Sequence, residues 1–290
     1  TLKQQKKYKK MQLLKNKLQY RNYSTNKLFN KDDYIKSFFV GLFDGDGSIQ
    51  VNHWRSTNLQ FRLVIKLKNL ETNFNMLTNL SNHLGGNIKI TTNFVLWVLN
   101  DSKTIMTFIS MFKKYPLLTE HKRLQLAFMK SMYEIYKKDK KLALNLYMND
   151  RNNKFNPNLY LKYYNMNYTL MNNYSSIIYP NFKYIDNTNT FEYHYFNSWF
   201  SGFTESEGCF VNRTSKDYSF MIAQNDKKLM EFIKNYFQIT NILRLVKNTY
   251  VLETYRKDNL KLFINFFNKY KLQGNKLNQF NCWKNYINNK

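Results

Sequence analysis

The sequence predicts an α+β fold made of two similar halves with antiparallel sheets, and three observations predict it. A short phrase occurs twice, 161 residues apart: Phe39-Val40-Gly41-Leu42-Phe43-Asp44-Gly45-Asp46-Gly47 and Phe200-Ser201-Gly202-Phe203-Thr204-Glu205-Ser206-Glu207-Gly208. Phe61 to Lys68 alternates with period two, which is the signature of a strand with one buried face. After each copy of the phrase the same order of strands and helices recurs, so the halves are repeats of one unit.

Each copy reads as the end of an apolar helix closed by acid, small residue, acid, glycine. Asp32 or Asp33 is expected to cap the helix that runs into the first copy, and Asn197 or Ser198 the helix that enters the second. Gly41 and Gly45 lie one turn apart, as do Gly202 and Ser206, so each helix carries a stripe of small residues. If the stripes face each other, the backbones approach closely and the C-terminal ends meet. Gly47 and Gly208 are then expected to let the chain leave in a left-handed conformation.

Beyond the first copy, Phe61, Leu63, Ile65 and Leu67 fall on one face of a strand and Arg62, Lys66 and Lys68 on the other, giving a core face and a basic face. A helix from about Leu70 to His83 ends at Gly85-Gly86, and strands follow near Asn87 to Thr92 and Phe94 to Asn100. Helices from Lys103 to Lys114 and Glu120 to Tyr136 complete the half. The second half repeats the order with strands near Cys209 to Arg213 and Tyr218 to Gln224, then a helix near Lys227 to Phe237. Strands near Ile242 to Lys247 and Tyr250 to Tyr255 follow, then helices from Asn259 to Tyr270 and Asn275 to Ile287. The run Phe112 to Leu117 echoes Phe267 to Leu272.

These readings divide the chain into a basic N-terminal extension (1–31), a first domain (32–137), an Asn- and Tyr-rich linker with one short helix (138–195) and a second domain (196–290). The linker must be long because it crosses from one half to the other.

Facing stripes would bring Asp46 beside Glu207 at the negative ends of two helices. Such carboxylates repel, and a divalent cation is the natural remedy. A hard oxygen site with open positions suits Mg²⁺, with Mn²⁺ as the substitute, and points to phosphodiester chemistry. A lone Asp-Gly-Asp-Gly is usually a surface turn, but two copies in matching contexts argue against that. An EF-hand is excluded because Ile49 stands where the loop needs glycine and Arg55 where it needs glutamate.

With 45 Lys and Arg against 19 Asp and Glu, the net charge of +26 calls for a polyanionic partner, and nucleic acid leads. No amphipathic segment has a clean Trp or Leu face, and no apolar run approaches the ~20 residues of a membrane span, so no membrane partner is expected. Two cysteines, Cys209 and Cys282, are too few for a disulfide framework, and structural packing is their expected role. His53, His83, His121 and His194 form no paired motif, which argues against zinc or HNH-type nucleases. Gly, Ala, Pro and Arg total only 22 residues, a bias of AT-rich genomes.

The repeated phrase resembles the LAGLIDADG motif of the homing endonucleases in their single-chain, two-motif form, and the resemblance covers most of the chain from about residue 33. It implies αββαββα domains related by a pseudo-two-fold axis, saddle-shaped antiparallel sheets and a central two-helix interface. It implies that Asp46 and Glu207 are catalytic and bind metal, with the carbonyls of Gly45 and Ser206 as further ligands. Glu at both acid positions and Thr204 depart from the name-giving pattern of the second copy. The implied DNA-facing residues are Arg62, Lys66, Lys68 and Lys89 in the first half and Arg213, Lys216, Arg244 and Lys247 in the second. Gln224 matches a polar position beside the active site of relatives, and the first half has Leu67 there. Lys122 and Lys276, near the start of each half's last helix, are candidates for stabilising transition-state charge.

The activity so implied is metal-dependent cleavage of both strands of a long, nearly palindromic double-stranded DNA site, by a monomer, promoting intron mobility. Joined to the AT-rich bias, the resemblance implies a fungal mitochondrial, intron-encoded protein made inside the organelle. Residues 1–31 lack any acid and superficially resemble a transit peptide. With no initiator Met and little Ser or Arg, they are expected to be a tail left by fusion to an upstream exon. Relatives also act as RNA maturases that help a group I intron fold, with a splicing partner protein in some settings, and composition does not separate the two activities. Retention of both acids favours cleavage.

Overall fold

The computed structural model describes residues 30–156, 195–212 and 218–288. Contacts group the chain into Thr1–Tyr34 and Ile35–Lys290, and both halves of the repeat lie in the second unit. Residues 1–29 of the expected N-terminal extension and 157–194 of the expected linker lie outside the described residues.

The first half comprises α1 (Lys31–Asp46), β1 (Gly47–Trp54), β2 (Asn58–Lys68), α2 (Glu71–Leu84), β3 (Asn87–Ile90), β4 (Phe94–Leu99), α3 (Ser102–Ile109), α4 (Met111–Lys114) and α5 (Glu120–Lys138). The second comprises α7 (Phe196–Glu207), β5 (Gly208–Asn212), β6 (Tyr218–Gln224), α8 (Lys227–Tyr236), β7 (Arg244–Val246), β8 (Thr249–Thr254), α9 (Lys257–Lys269) and α10 (Asn275–Asn288). Between them, α6 (Lys140–Asp150) stands inside the segment read as a linker. Its start is specified locally, because the Asp139 carboxylate accepts from Leu142 N at 2.9 Å, and it buries Ala143 and Tyr147.

Each half forms a four-stranded antiparallel sheet, ordered β1-β2-β4-β3 and β5-β6-β8-β7. Gly47 pairs with Ile65 and Gly208 with Ile222, so the two sheets share one register. Phe61, Leu63 and Ile65 are buried and Lys66 and Lys68 exposed, as the alternation requires. The one strand absent from the sequence reading is β1, where polar Gln50 and Asn52 alternate with buried Ile49 and Val51.

Aromatic rings fill both cores. Phe39 packs edge-on to Trp97 at 4.9 Å between centroids, and Trp97 Nε1 donates to the Gly85 carbonyl at 2.8 Å. Gly86 has φ of +91° and lies where a Cβ would enter the Trp97 indole, so both backbone and space demand glycine. In the second half Phe220 packs against Phe263 and Phe267 beneath the sheet, and Phe210 and Trp283 close it. Phe112 and Phe267, the echoed residues, are both buried in their respective cores.

Three expectations about caps and turns are corrected. Asn30, rather than Asp32 or Asp33, caps α1, its side-chain oxygen accepting from Asp32 N at 3.0 Å; both aspartates lie in the first turn. Asn197 does not cap α7: its amide bridges the hydroxyls of Tyr270 and Tyr236 at 3.1 and 2.7 Å, and Ser198 is buried inside the helix. Gly208 is extended, with φ −80° and ψ 152°, and Gly47 has no positive φ. These two glycines are needed for space, since a Cβ would strike the carbonyl and ring of Phe43 or the carbonyl and side chain of Thr204. The expected helix from Lys103 to Lys114 is two helices, because the chain breaks at Ser110. Cys209 is partly buried in β5, but Cys282 is exposed, so the expected packing role does not extend to it.

Candidate active site

The small-residue stripes of α1 and α7 do face each other. A Cβ on Gly41 would enter the Trp199 carbonyl and approach Phe203 N to 2.8 Å; one on Gly202 would enter the Phe38 carbonyl and approach Leu42 N to 2.8 Å. The contacts are reciprocal and three residues upstream in each case, which is how a pseudo-two-fold axis writes itself into a helix pair. One turn later, Gly45 faces the Ser206 hydroxyl and lies 3.2 Å, from an added Cβ, to Glu207 Cγ. The last acids of the two motifs are thereby brought together.

The two acids of each motif are two residues apart, so they leave the helix in nearly opposite directions. Asp44 and Glu205 turn inward. Buried Asp44 accepts from Leu118 N (2.7 Å), Thr119 N (3.1 Å), Thr119 Oγ1 (2.7 Å) and, across the halves, Trp199 Nε1 (2.8 Å). Glu205 accepts from the backbone N–H groups of Gln273 (2.7 Å), Gly274 (2.8 Å) and Lys276 (3.2 Å). Burial pushes both carboxyls up, and the donated hydrogen bonds pull them back. Each therefore anchors the segment leading into the last helix of its own half. Sequence reasoning missed this role, although the two-residue spacing repeated in both copies of the phrase was its available signal.

Asp46 and Glu207 turn outward to the crowded end of the helix pair. Desolvation raises Asp46 to about 6, against the attraction of Lys122 and Lys276. Desolvation and then the Asp46 charge raise Glu207 to about 7, against the same two lysines. Both acids thus feel both lysines. Lys122 Nζ donates to the Gly47 carbonyl, and desolvation lowers its pKa while Asp44, Asp46 and Glu207 hold it up. Lys276 Nζ donates to Gln279 Oε1 at 3.3 Å.

The two lysines are not equivalent. Aligning the anchored segments, Leu118 with Gln273 and Thr119 with Gly274, sets Lys276 opposite His121, and Lys122 lies one residue further along α5. His121 itself stacks on Phe155 at 4.0 Å. Gln224 is also unique to one half: its Oε1 accepts from Asn225 N at 2.8 Å, which turns Nε2 toward Glu207 Oε1 at 3.4 Å. The strand register confirms that Leu67 occupies the corresponding place in the first half.

Two further bonds tie the halves together at the starts of α5 and α10. Asp226, which caps α8, accepts from Glu120 N at 2.9 Å, and Asn73 Oδ1 accepts from Asn275 N at 3.1 Å. Each lysine-bearing helix is thus capped by the opposite half.

Arg62, Lys66, Lys68 and Lys89 share the sheet face turned away from the core, with Lys66 Nζ 3.8 Å from the Phe94 ring centroid. Arg244 lies on the matching face of the second sheet, whereas Lys247 sits in the β7–β8 turn with φ of +55°. Arg213 and Lys216 lie outside the described residues. Among the described residues there is no cluster of three or more His, Cys, Asp or Glu that could hold a metal. No helix among them is long and apolar enough to cross a membrane.

The LAGLIDADG endonuclease family profile matches residues 39–133 and 200–287. The probable intron-encoded endonuclease aI3 of Kluyveromyces lactis is 48% identical over 257 residues, 87% of this chain and 65% of the relative. The protein of the same name from Debaryomyces hansenii is 39% identical over 85% of this chain but only 37% of its own length. The chain thus spans less than two thirds of these relatives, whereas the Dictyostelium citrinum aI3 protein is 38% identical and covered to 95%. Among solved structures, the I-LtrWI homing endonuclease bound to target DNA has a TM-score of 0.63 at 19% identity, over 89% of this chain and 91% of that one. I-AabMI bound to uncleaved DNA has 0.61 at 20% identity, over 87% and 90%. The profile matches both halves separately and the relatives match across most of the chain: the chain belongs to the LAGLIDADG endonuclease family.

Proposed function

We propose that this protein is a homing endonuclease that hydrolyses one phosphodiester in each strand of a long, nearly palindromic double-stranded DNA site, with Mg²⁺ or Mn²⁺ as cofactor. The observation that carries the reading is the outward pair Asp46 and Glu207, raised to about 6 and about 7 at the abutting ends of α1 and α7 with two lysines beside them. A solvated surface turn would not combine such shifts with cations placed on both sides. Solved structures of other LAGLIDADG proteins bound to DNA support the choice of partner.

The donor set fits a hard divalent ion: two carboxylates with the Gly45 and Ser206 carbonyls immediately before them, and no competing sulfur or imidazole cluster among the described residues. A bound ion would polarise the phosphate and lower the pKa of an attacking water. Asp46 and Glu207 would hold the ion in their ionised forms, which its own charge would favour over the protonated ones, and the helix pair fixes their spacing. Gln224 orients the Glu207 carboxylate through its side-chain amide. Lys122 and Lys276 place positive charge where the pentacoordinate phosphate gathers negative charge. Residues of the sheet faces bind the duplex on either side. The relatives' names support an intron-encoded origin. Synthesis inside a mitochondrion and action as a monomer complete the proposal.

The test is cleavage of a plasmid carrying the uninterrupted exon junction, with Mg²⁺ or Ca²⁺, comparing the parent chain with Asp46→Asn and Glu207→Gln. Mg²⁺-dependent double-strand cleavage that both substitutions abolish is expected. Absence of cleavage, with tight binding to the intron RNA, would replace this reading by a maturase role.

A further inference from the structure

Corresponding positions of the two sheets carry different chemistry on the face turned from the core. By register, Arg62, Lys66 and Lys89 of the first sheet correspond to Ser219, Ala223 and Arg244 of the second. Gln50 corresponds to Val211, and Val98 to Glu253. Three cations thus become one, and that one faces an acid. Arg244 Nη2 lies 2.5 Å from Glu253 Oε2, and the other carboxylate oxygen accepts from Ser219 Oγ at 2.7 Å.

A glutamate on a face meant for polyanion would ordinarily weaken binding. Its geometry supplies a reason. The Glu253 side chain is 13% exposed and the Arg244 side chain 57%, so the carboxylate is sunk in the sheet and the guanidinium stands proud of it. An ion pair this open adds little stability. What it does is hold a planar fork by one end, cancelling its charge toward phosphates while the guanidinium stays exposed. Around it lie partly exposed apolar groups, Val211, Met221 and Ala223.

We infer that, within the DNA-cleaving function proposed above, the paired strand positions of the second sheet read their half-site without net charge. Arg244, held by Glu253 and Ser219, donates to O6 and N7 of one guanine, and the apolar surface around it packs on thymine 5-methyl groups. The first sheet works differently, binding through cations that grip phosphates and polar base edges. The two half-sites are therefore recognised by unlike chemistry although the backbone frames match.

The experiment selects bound duplexes from a library randomised across the whole site, using the full chain and its Arg244→Ala, Glu253→Gln and Lys66→Ala variants. Deoxyuridine, which lacks the 5-methyl, is then substituted for thymine in one half of the recovered site at a time. Arg244→Ala is expected to relax a single guanine position by about tenfold or more in one half. Glu253→Gln, which keeps the Ser219 bond, relaxes the same position less, and Lys66→Ala acts in the other half. Deoxyuridine weakens binding several-fold only in the half that Arg244 reads. Uniform weakening of all sequences by Arg244→Ala would make it a phosphate contact and overturn the inference, as would indifference to deoxyuridine in that half. Selection of no duplex by the parent chain would instead sink the DNA reading on which the inference rests.

Discussion

Gly41 and Gly202 each face the backbone of the helix that carries the other, so that a single methyl group on either would occupy the position of a carbonyl oxygen, of Trp199 or of Phe38. Everything chemical in this protein depends on that proximity, because it decides how near Asp46 comes to Glu207.

Gly41→Ala and Gly202→Ala should each cost about 3 kcal/mol, the upper range for overpacking, since backbone cannot swing aside as a side chain can. Gly85→Ala is the contrast. It has open space around it, but φ of +81° with ψ of −170° is a conformation essentially restricted to glycine, so the cost, about 1–3 kcal/mol, comes from backbone strain alone. Denaturant midpoints at constant m-value measure both.

The two acids of each motif should separate cleanly by substitution. Asp44→Asn leaves donors from Leu118, Thr119 and Trp199 facing an NH₂ group, and should destabilise by ~2–3 kcal/mol with cleavage reduced only as far as folding is. Asp46→Asn should abolish cleavage with no loss of stability. Thermal melts run beside plasmid cleavage distinguish them, and equal destabilisation by both would contradict the assignment.

Because Asp46 and Glu207 titrate at about 6 and about 7 in the folded chain, against ~4 when unfolded, the native state holds protons that the unfolded state has released. Without metal, these groups therefore lower stability as pH rises from about 4 to about 7. A cation bound by the ionised pair reverses this, so the rise in Tm on adding Ca²⁺ should be small at pH 5.5 and full above about pH 8. Melting curves in EDTA and Ca²⁺ across that range test it, and Asp46→Asn should flatten the response.

Lys122→Met should slow cleavage by about a hundredfold, the usual cost of removing a charge-stabilising donor, while leaving DNA affinity within a fewfold. Since Lys122 and Lys276 occupy non-equivalent positions, the two strands should not slow equally, and nicked circles should accumulate from supercoiled substrate. A gel time course follows supercoiled, nicked and linear forms directly.

Salt should expose the asymmetry of the sheets. Lys66→Ala and Lys89→Ala should each reduce the slope of log K against log salt by about 0.9, whereas Arg244→Ala should leave it nearly unchanged because Glu253 already neutralises that cation. Binding titrations between 50 and 200 mM salt, the range in which such slopes are usually read, provide the measurement.

Much of this architecture was legible beforehand. The repeat located both helices of the interface, the period-two pattern placed Phe61 to Ile65 inward and Lys66 outward, and Gly85-Gly86 marked the end of α2. Those are signals within a few residues, which is the range over which backbone geometry and side-chain alternation act. Strand β1 escaped because its buried positions are interrupted by amides, whereas α6 falls inside the linker, where one short helix was expected.

By itself the sequence determined that the protein has two like halves, two outward acids, an excess of positive charge and cations on one face of β2. Only the tertiary structure decided that Asp44 and Glu205 anchor the segments before the last helices, that Gly47 and Gly208 serve space rather than turning, and that Asp226 and Asn73 cap the helices bearing Lys122 and Lys276 from the opposite half. It also decided that Arg244 is bound to Glu253 and not a free cation. The physical reason is common to all four. Each depends on contacts that the chain brings together in space, in several cases across the two halves, and neither helical nor strand periodicity carries information about groups so placed.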